Sequence, residues 1–343
     1  MDSFHPRITP WQIDEADFYE IEQREEQLRF LLQYAVLAPS GHNSQPWTFR
    51  ITSEGVEVFA DFERRLPAAD PQDRELLMSI GAAIANLRIA AAHFGFETTA
   101  LYQPGREESL PIALVAIRET CAPDPALSRL FPAITRRHTN RQAFQDRAID
   151  ETALSSVCDF IDENAAWLAF VVPHDRGSVA GLIDKADRIL MSRDAYRHEL
   201  ADWMRPNESS ATDGMCGDGF GIPGPLSALA PWMIRRLEAS DVHARHDRSL
   251  AENAAGLIVV SADDDQTALL QAGEILERLL LHLTSVGLHY SFLNQPIEVD
   301  ELRRELSQMV RSAKPPQLLL RIGYARPVAK AMPRRPLETV LVK

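Results

Sequence analysis

Two short segments of this chain concentrate arginine in patterns suited to an anion. RRHTNRQAF runs from Arg136 to Phe144, and PRRP sets Arg334 and Arg335 between prolines, in an extended conformation. Guanidinium groups make bidentate, charge-assisted hydrogen bonds to phosphate oxygens, and a helix opening on RRHTNR would add its free amide N–H groups to the same anion. A solvated basic helix start accounts for the same residues, and the residues alone leave both readings open. A third segment, APSGHNSQPWTFRI from Ala38 to Ile51, holds Asn43 and Gln45 among Pro39, Gly41 and Pro46. Such a rigid loop presents amide donors and acceptors beside Trp47, as the edge of a planar heteroaromatic ring requires, although a helix stop and strand entry with Trp47 in the core also fits.

Other chemistries find less support. Cys121, Cys158 and Cys216 are odd in number and without CxxC spacing, which argues against a disulfide framework and against structural zinc. His243 and His246, beside Asp241 and Asp247, read as an exposed polar turn and not as a metal site. The GxGxxG match from Gly219 to Gly224 has no strand before it, and Pro223 and Pro225 speak against a helix start, so it is rejected as a dinucleotide fingerprint. With no GxSxG or P-loop either, no catalytic side chain is expected, and the chemistry falls to a bound cofactor.

The elements that must position these residues occur twice. LLMSIGAAIANLRIAAAHFGF from Leu76 and ALLQAGEILERLLLHLTSVGL from Ala268 share helical apolar periodicity, an internal glycine and a terminal glycine. Gly81 matches Gly273, Gly95 matches Gly287, Leu101 matches Leu293, Gln103 matches Gln295 and Pro104 matches Pro296, all at one offset without a gap. An internal duplication is therefore expected. Strand-like runs precede each helix (VEVFADF from Val56, GLIVVSA from Gly256) and follow it (IALVAIRE from Ile112, QLLLRIGYA from Gln317). Copy one, residues 1–130, carries the Asn-x-Gln-Pro-Trp loop, and copy two, residues 131–343, carries the arginines, so the polar sets are complementary. Both long helices are apolar nearly all round and are expected to be buried at the interface between the copies. An insertion between Ala186 and Leu250 has no counterpart in copy one. Its Trp203, Phe220 and Trp232 could cover a flat ring, and it reads either as a lid or as a disordered connector.

APSGHNSQPWTF resembles the APS-x-x-N-x-Q-P-W segment of the nitroreductase superfamily, and RHTNRQAF resembles its phosphate-binding helix start. QPIE (Gln295–Glu298), LLLRIGYARP and PRRPLE resemble its ring-facing stretch, closing strand and tail, and DPQDRELLMSIGAAIANLRIAAAHFGF is similar to the Acg-like twin-domain branch. The resemblance implies an α+β fold of two tandem nitroreductase-like α/β/α sandwich units forming an intrachain pseudo-dimer, with one FMN per chain. Arg137, His138, Thr139 and Arg141 would hold its phosphate, ribityl chain and pyrimidine edge, joined at the phosphate by Arg334 and Arg335. Pro39, Ser40 and Asn43 would come from the other copy, with Gln45 a neighbour, and Pro296, Ile297 and Glu298 would line one ring face. Val299 stands where many relatives have glycine, and Thr139 replaces the commoner serine.

A formal net charge of -13 argues against nucleic acid or an anionic membrane as partner, and 45% hydrophobic residues suit a globular chain. No apolar run of membrane-spanning length and no signal peptide is evident, so a cytoplasmic protein is expected, as a monomeric pseudo-dimer or weak homodimer. The expected function is FMN-dependent oxidoreduction: NAD(P)H delivers hydride at flavin N5, and a nitroaromatic, quinone or similar small molecule is reduced in a ping-pong cycle. The alternative is a protein that sequesters FMN beneath a closed lid, and a ligand-binding pseudo-enzyme is a third.

Overall fold

The computed structural model describes residues 5–103, 105, 109–120, 122–157, 166–236, 240–325 and 330–342. Pro104, Cys121 and Cys158, which enter the expectations above, lie outside them.

Helix α1 (Arg24–Ala35) buries Leu28, Leu31, Leu32 and Ala35, the spacing of a single helical stripe. β1 (Trp47–Ile51) and β2 (Gly55–Ala60) form a hairpin, and α2 (Arg74–His93) leads to β3 (Phe96–Tyr102) and β4 (Ala113–Glu119). The strands form an antiparallel sheet of order β1-β2-β4-β3. After the short helices α3 (Pro125–Ser128) and α4 (Glu151–Val157), β5 (Trp167–Phe170) opens a second sheet.

Between β5 and the next strand of that sheet lie α5 (Arg176–Ser192), α6 (Asp194–Asp202), β6 (Met204–Arg205), β7 (Met215–Cys216), α7 (Gly224–Ser227), α8 (Ala230–Arg236) and α9 (Ser240–Glu252). Then follow β8 (Gly256–Ser261), α10 (Gln266–Ser285), β9 (His289–Phe292), α11 (Asp300–Met309) and β10 (Pro316–Gly323). The second sheet is also antiparallel, in the order β5-β8-β10-β9. Each sheet thus runs first, second, fourth, third, with a long helix between its second and third strands.

That helix is buried in both cases. Each fully buried Leu or Ile contributes roughly 1.5–3 kcal/mol, so a helix apolar all round is stable only in the interior. α2 and α10 pack on each other, and their meeting point is Gly81 against Gly273: a Cβ on Gly81 would collide with the Leu270 carbonyl oxygen, and one on Gly273 with that of Met78. Gly95 (φ +87°) and Gly287 (φ +76°) end the helices in the left-handed region that favours glycine. One apolar cluster joins α1, α2, α10 and strands of both sheets, and a second fills the space among α5, α11 and the second sheet.

Several expectations need correction. Arg136 is the last residue of a 3-10 turn (Phe131–Arg136), and no helix follows; Asn140 N–H donates to Tyr290 C=O and Gln145 N–H to Tyr324 C=O, so this backbone is tied to β9 and the end of β10 instead of to itself. Among the described residues the insertion is mostly helical and wider than Ala186 to Leu250, which fall inside α5 and α9. His243 and His246 lie on α9, not on a turn. Two-residue β7 does precede Gly219, and four-residue α7 begins at Gly224. α2 meets the length and apolarity of a membrane-crossing helix, contrary to expectation, yet 89% of its most apolar window is buried, as in a core helix.

Substituting the crossing glycines tests this packing. Gly273→Ala should lose roughly 2–4 kcal/mol in urea unfolding, because backbone stands in the way. Gly95→Ala, which meets open space and bears only left-handed strain, should lose about 1 kcal/mol. Equal losses would show that the helices do not depend on the close approach.

Candidate functional site

The candidate residues gather around Tyr290 of β9. Its hydroxyl accepts from Arg137 Nη1 at 2.6 Å and engages Thr139, and its charge environment includes Arg141 and Arg334. Arg137 Nη2 donates to Leu37 C=O at 2.7 Å, and Arg334 Nη2 donates to the same carbonyl and to Ala38, each at 3.0 Å. The loop after α1 therefore meets both arginine segments.

This loop is strained. His42, Asn43 and Gln45 have φ of 49°, 57° and 54°, a region that costs a non-glycine residue of order 1 kcal/mol. Neighbours hold it there. Asn43 Nδ2 donates to Gly214 and Pro333 carbonyls, and its Oδ1 accepts from Arg334 Nη1 at 2.8 Å. Gln45 Nε2 donates to Thr212 C=O, its Oε1 accepts from Arg335 N–H, and Ser40 Oγ accepts from Gln45 N–H. Pro39 is buried behind it. Arg335 does not join Arg334: it donates to Gln45 C=O and pairs with Asp61.

The charges do not balance locally. Arg137, Arg334 and Arg321 are each at most 3% exposed, and Arg141 is largely enclosed, yet the facing acids are Glu277 and Asp247. Burial pulls Arg141 and Arg321 down to about 10 and Arg334 to about 9, all still cations at neutral pH. For Arg137 burial is outweighed by Tyr290 and Glu277, and its pKa rises. Burial, with Arg137 and Arg334 adding, drives His138 down to about 3, so it is neutral; its ring lies edge-on to Trp11 at 4.5 Å.

Donors remain open. Arg141 Nη1, Arg321 Nε and Nη1, and Arg334 Nε are buried and have no hydrogen-bond partner among the described residues. Sequence reasoning missed Arg321, whose Nη2 holds the Asn140 and Gln142 carbonyls; its one visible signal is a charge inside the wholly buried strand PQLLLRIG.

The Gln295–Glu298 stretch lies on the other side of the loop. Asn294 Nδ2 donates to Glu75 Oε1 at 2.8 Å, and Ile297 C=O accepts from Arg74 Nη2. Gln295 Nε2 donates to Asp247 at 2.6 Å, and Pro296 is buried. Burial and then Glu75 hold the Glu298 carboxyl well above its usual range, with Tyr196 bonded to it. Arg74, Ile297 and Glu298 line a cavity of about 210 Å³, below the several hundred that a flavin-sized ligand fills.

Part of the β5–β8 segment covers the arginines. Arg141 lies under the Phe220 ring at 4.8 Å, its Nη2 3.7 Å from Met215 Sδ, and Gln142 donates to Gly219 C=O. Asp213 is clasped between Arg64 and Arg205. Trp203 packs beside those two arginines, and Trp232 is 59% exposed and covers nothing, contrary to expectation.

An uncharacterized protein of Mycobacterium tuberculosis, Rv3127, is 30% identical over 91% of this chain and 92% of its own length. From the same organism, "Putative NAD(P)H nitroreductase Rv3131" is 28% identical over 91% of this chain and 89% of that protein. "Putative NAD(P)H nitroreductase acg" is 26% identical over 91% and 94%. The chain belongs to the nitroreductase superfamily. Its similarity to acg runs over nearly the whole of both chains. No family model matches the sequence.

Arg137→Met would leave Glu277 buried without its nearest cation and should cost about 3–5 kcal/mol in denaturant unfolding. Arg136, exposed and bonded only to Pro132 C=O among the described contacts, should change stability by about 0.5 kcal/mol or less when replaced by Ala. Similar values for the two would remove the buried pair from the account.

Proposed function

We propose that this chain is an FMN-dependent oxidoreductase that takes reducing equivalents from NAD(P)H and passes them to nitroaromatic, quinone or similar electrophilic small molecules. In this reading residues 1–130 and 131–343 are two diverged nitroreductase-like units paired as an intrachain pseudo-dimer, with one flavin per chain. The equal strand order of the two sheets and the contact of matched Gly81 with Gly273 support the pairing. The observation that carries the function is the set of open, buried guanidinium donors on Arg141, Arg321 and Arg334 beside a strained amide loop. Four guanidiniums face two carboxyls that burial raises, so the cluster keeps the net positive charge that a phosphate dianion needs.

Arg141, Arg321 and Arg334 Nε would hold the phosphate end, with Arg137, Thr139 and Tyr290 fixing their frame and neutral His138 beside them. Pro39, Ser40 and Asn43 would shape the wall from the first unit, and Pro296, Ile297 and Glu298 the wall from the second. Gln45 and Arg335 would secure the loop and tail. When bound, FMN supplies hydride acceptance at N5 and electron release to the second substrate, in a ping-pong cycle. The protein's part is to bind, orient and exclude water. Relatives whose names carry an activity carry nitroreductase, which does not favour the sequestering alternative.

Purified protein reconstituted with FMN should hold one flavin per chain and bleach on anaerobic mixing with NADPH. Two per chain would refute the complementary halves, and none would refute the assignment. Arg141→Gln should weaken FMN at least tenfold while changing riboflavin, which lacks the phosphate, much less; equal losses would move Arg141 away from the phosphate.

Since Met215 and Phe220 lie over Arg141, a flavin-sized ligand passes only when this cover shifts. Asp213→Asn weakens the clasp with Arg64 and Arg205 and should speed FMN release several-fold in a stopped-flow displacement assay. An unchanged rate would show that the clasp does not govern access.

A further inference from the structure

Glu277 enters the reading above only through its charge, and it is the acid paired with Arg137. It projects from the middle of α10, is fully buried, and lies 3.1 Å from Arg137 Nε, though that N–H is not aligned on it as a hydrogen bond. A mid-helix position offers its carboxylate no backbone amide, because those amides are spent within the helix. Arg334 from the tail and Asn86 from α2 also act on it, and Tyr290 from β9, bonded to Arg137, feels its charge. Arg137 is thus fixed in three directions, by Tyr290, by Leu37 and by Glu277.

We propose that Glu277 is a positioning residue that holds Arg137 as an internal counter-anion, and that it takes up a proton when a phosphate monoester enters the site. The proposal rests on the FMN reading above. An entering phosphate shares Arg334 with Glu277 and lies beside its partner Arg137, and two anions brought together in a buried site favour protonation of the weaker one.

Burial, opposed by Arg137 and Arg334, already raises the Glu277 carboxyl to about 7. A nearby phosphate raises it further. Glu277 is then neutral in both states below about pH 7; above that value it is ionised in the free protein and protonated in the complex, so binding consumes a proton and weakens as pH rises. The other groups around it do not titrate there: His138 is neutral, Arg137 is raised, Arg334 is charged to about 9, and burial raises Tyr290 above its ordinary value. The phosphate acts in the opposite sense, losing charge only below about pH 6. Asp247, raised by burial and facing Arg141 and Arg321, and beyond the loop Glu75, near 7, and Asp187, near 8, are the carboxyls to be distinguished, and Glu277→Gln leaves all three in place.

The test is the FMN Kd of the apoprotein, from quenching of flavin fluorescence, between pH 7 and 8.3. The wild-type Kd should rise several-fold, approaching tenfold per pH unit, while Glu277→Gln, which keeps the shape without the charge, should be flat and bind more tightly than wild type at the upper end. If that variant does not fold, calorimetry of FMN binding to wild-type protein at pH 7.5 in two buffers of different ionisation enthalpy still decides: a net uptake of protons is expected for FMN and none for riboflavin. FMN bound one per chain with a pH-independent Kd, a slope retained in Glu277→Gln, or no proton uptake overturns the role of Glu277 and leaves the FMN reading standing. Absence of flavin binding at every pH removes both.

Discussion

Two helix backbones in contact govern the placement of everything else. α2 and α10 can meet only because neither Gly81 nor Gly273 has a side chain. The approach lets residues farther along the pair interact directly. Glu274 receives Arg88 from α2 at 2.5 Å, with Arg278 and the Tyr102 hydroxyl also on it, and one turn on Asn86 reaches Glu277. A wider spacing would separate these groups, and with them the frame that orients Arg137.

The second determinant is charge placed where water is scarce. The effective dielectric inside a protein is far below that of water, so an unmatched guanidinium there both costs folding energy and attracts an anion strongly. This chain tolerates the cost by distributing it. Arg334 spends its Nη donors on the carbonyls of Leu37, Ala38 and Pro333 and the Asn43 side chain, and Arg321 spends Nη2 on Asn140 and Gln142. The few donors left over define the site.

The regular elements were legible because their apolar periods are strong: both long helices and the strands around Val56, Ile112, Gly256 and Gln317 form where the pattern put them. The site was legible as residue types but not as partners. The irregular backbone after Arg136 escaped because its hydrogen bonds run to Tyr290 and Tyr324, more than a hundred residues away, which no local pattern encodes. Arg321 is a single charge inside an apolar run and Glu277 stands beside Arg278 in a mostly apolar helix, and only the fold reveals what faces them. The extent of the segment between β5 and β8 was obscured because α5 and α9 carry mostly polar exposed faces.

The segment bearing Arg334 and Arg335 continues past the site to the first sheet. Phe49 N–H donates to Val340 C=O at 2.7 Å and Phe49 C=O accepts from Val342 N–H at 2.8 Å, so the tail lies parallel along the free side of β1. An uncovered edge strand invites pairing with another molecule. Because the same tail is pinned through its arginines to the Leu37–Gln45 loop, whatever loosens that anchorage also exposes β1 as a template for aggregation. Solubility of the folded chain and integrity of its arginine cluster are in this way one property.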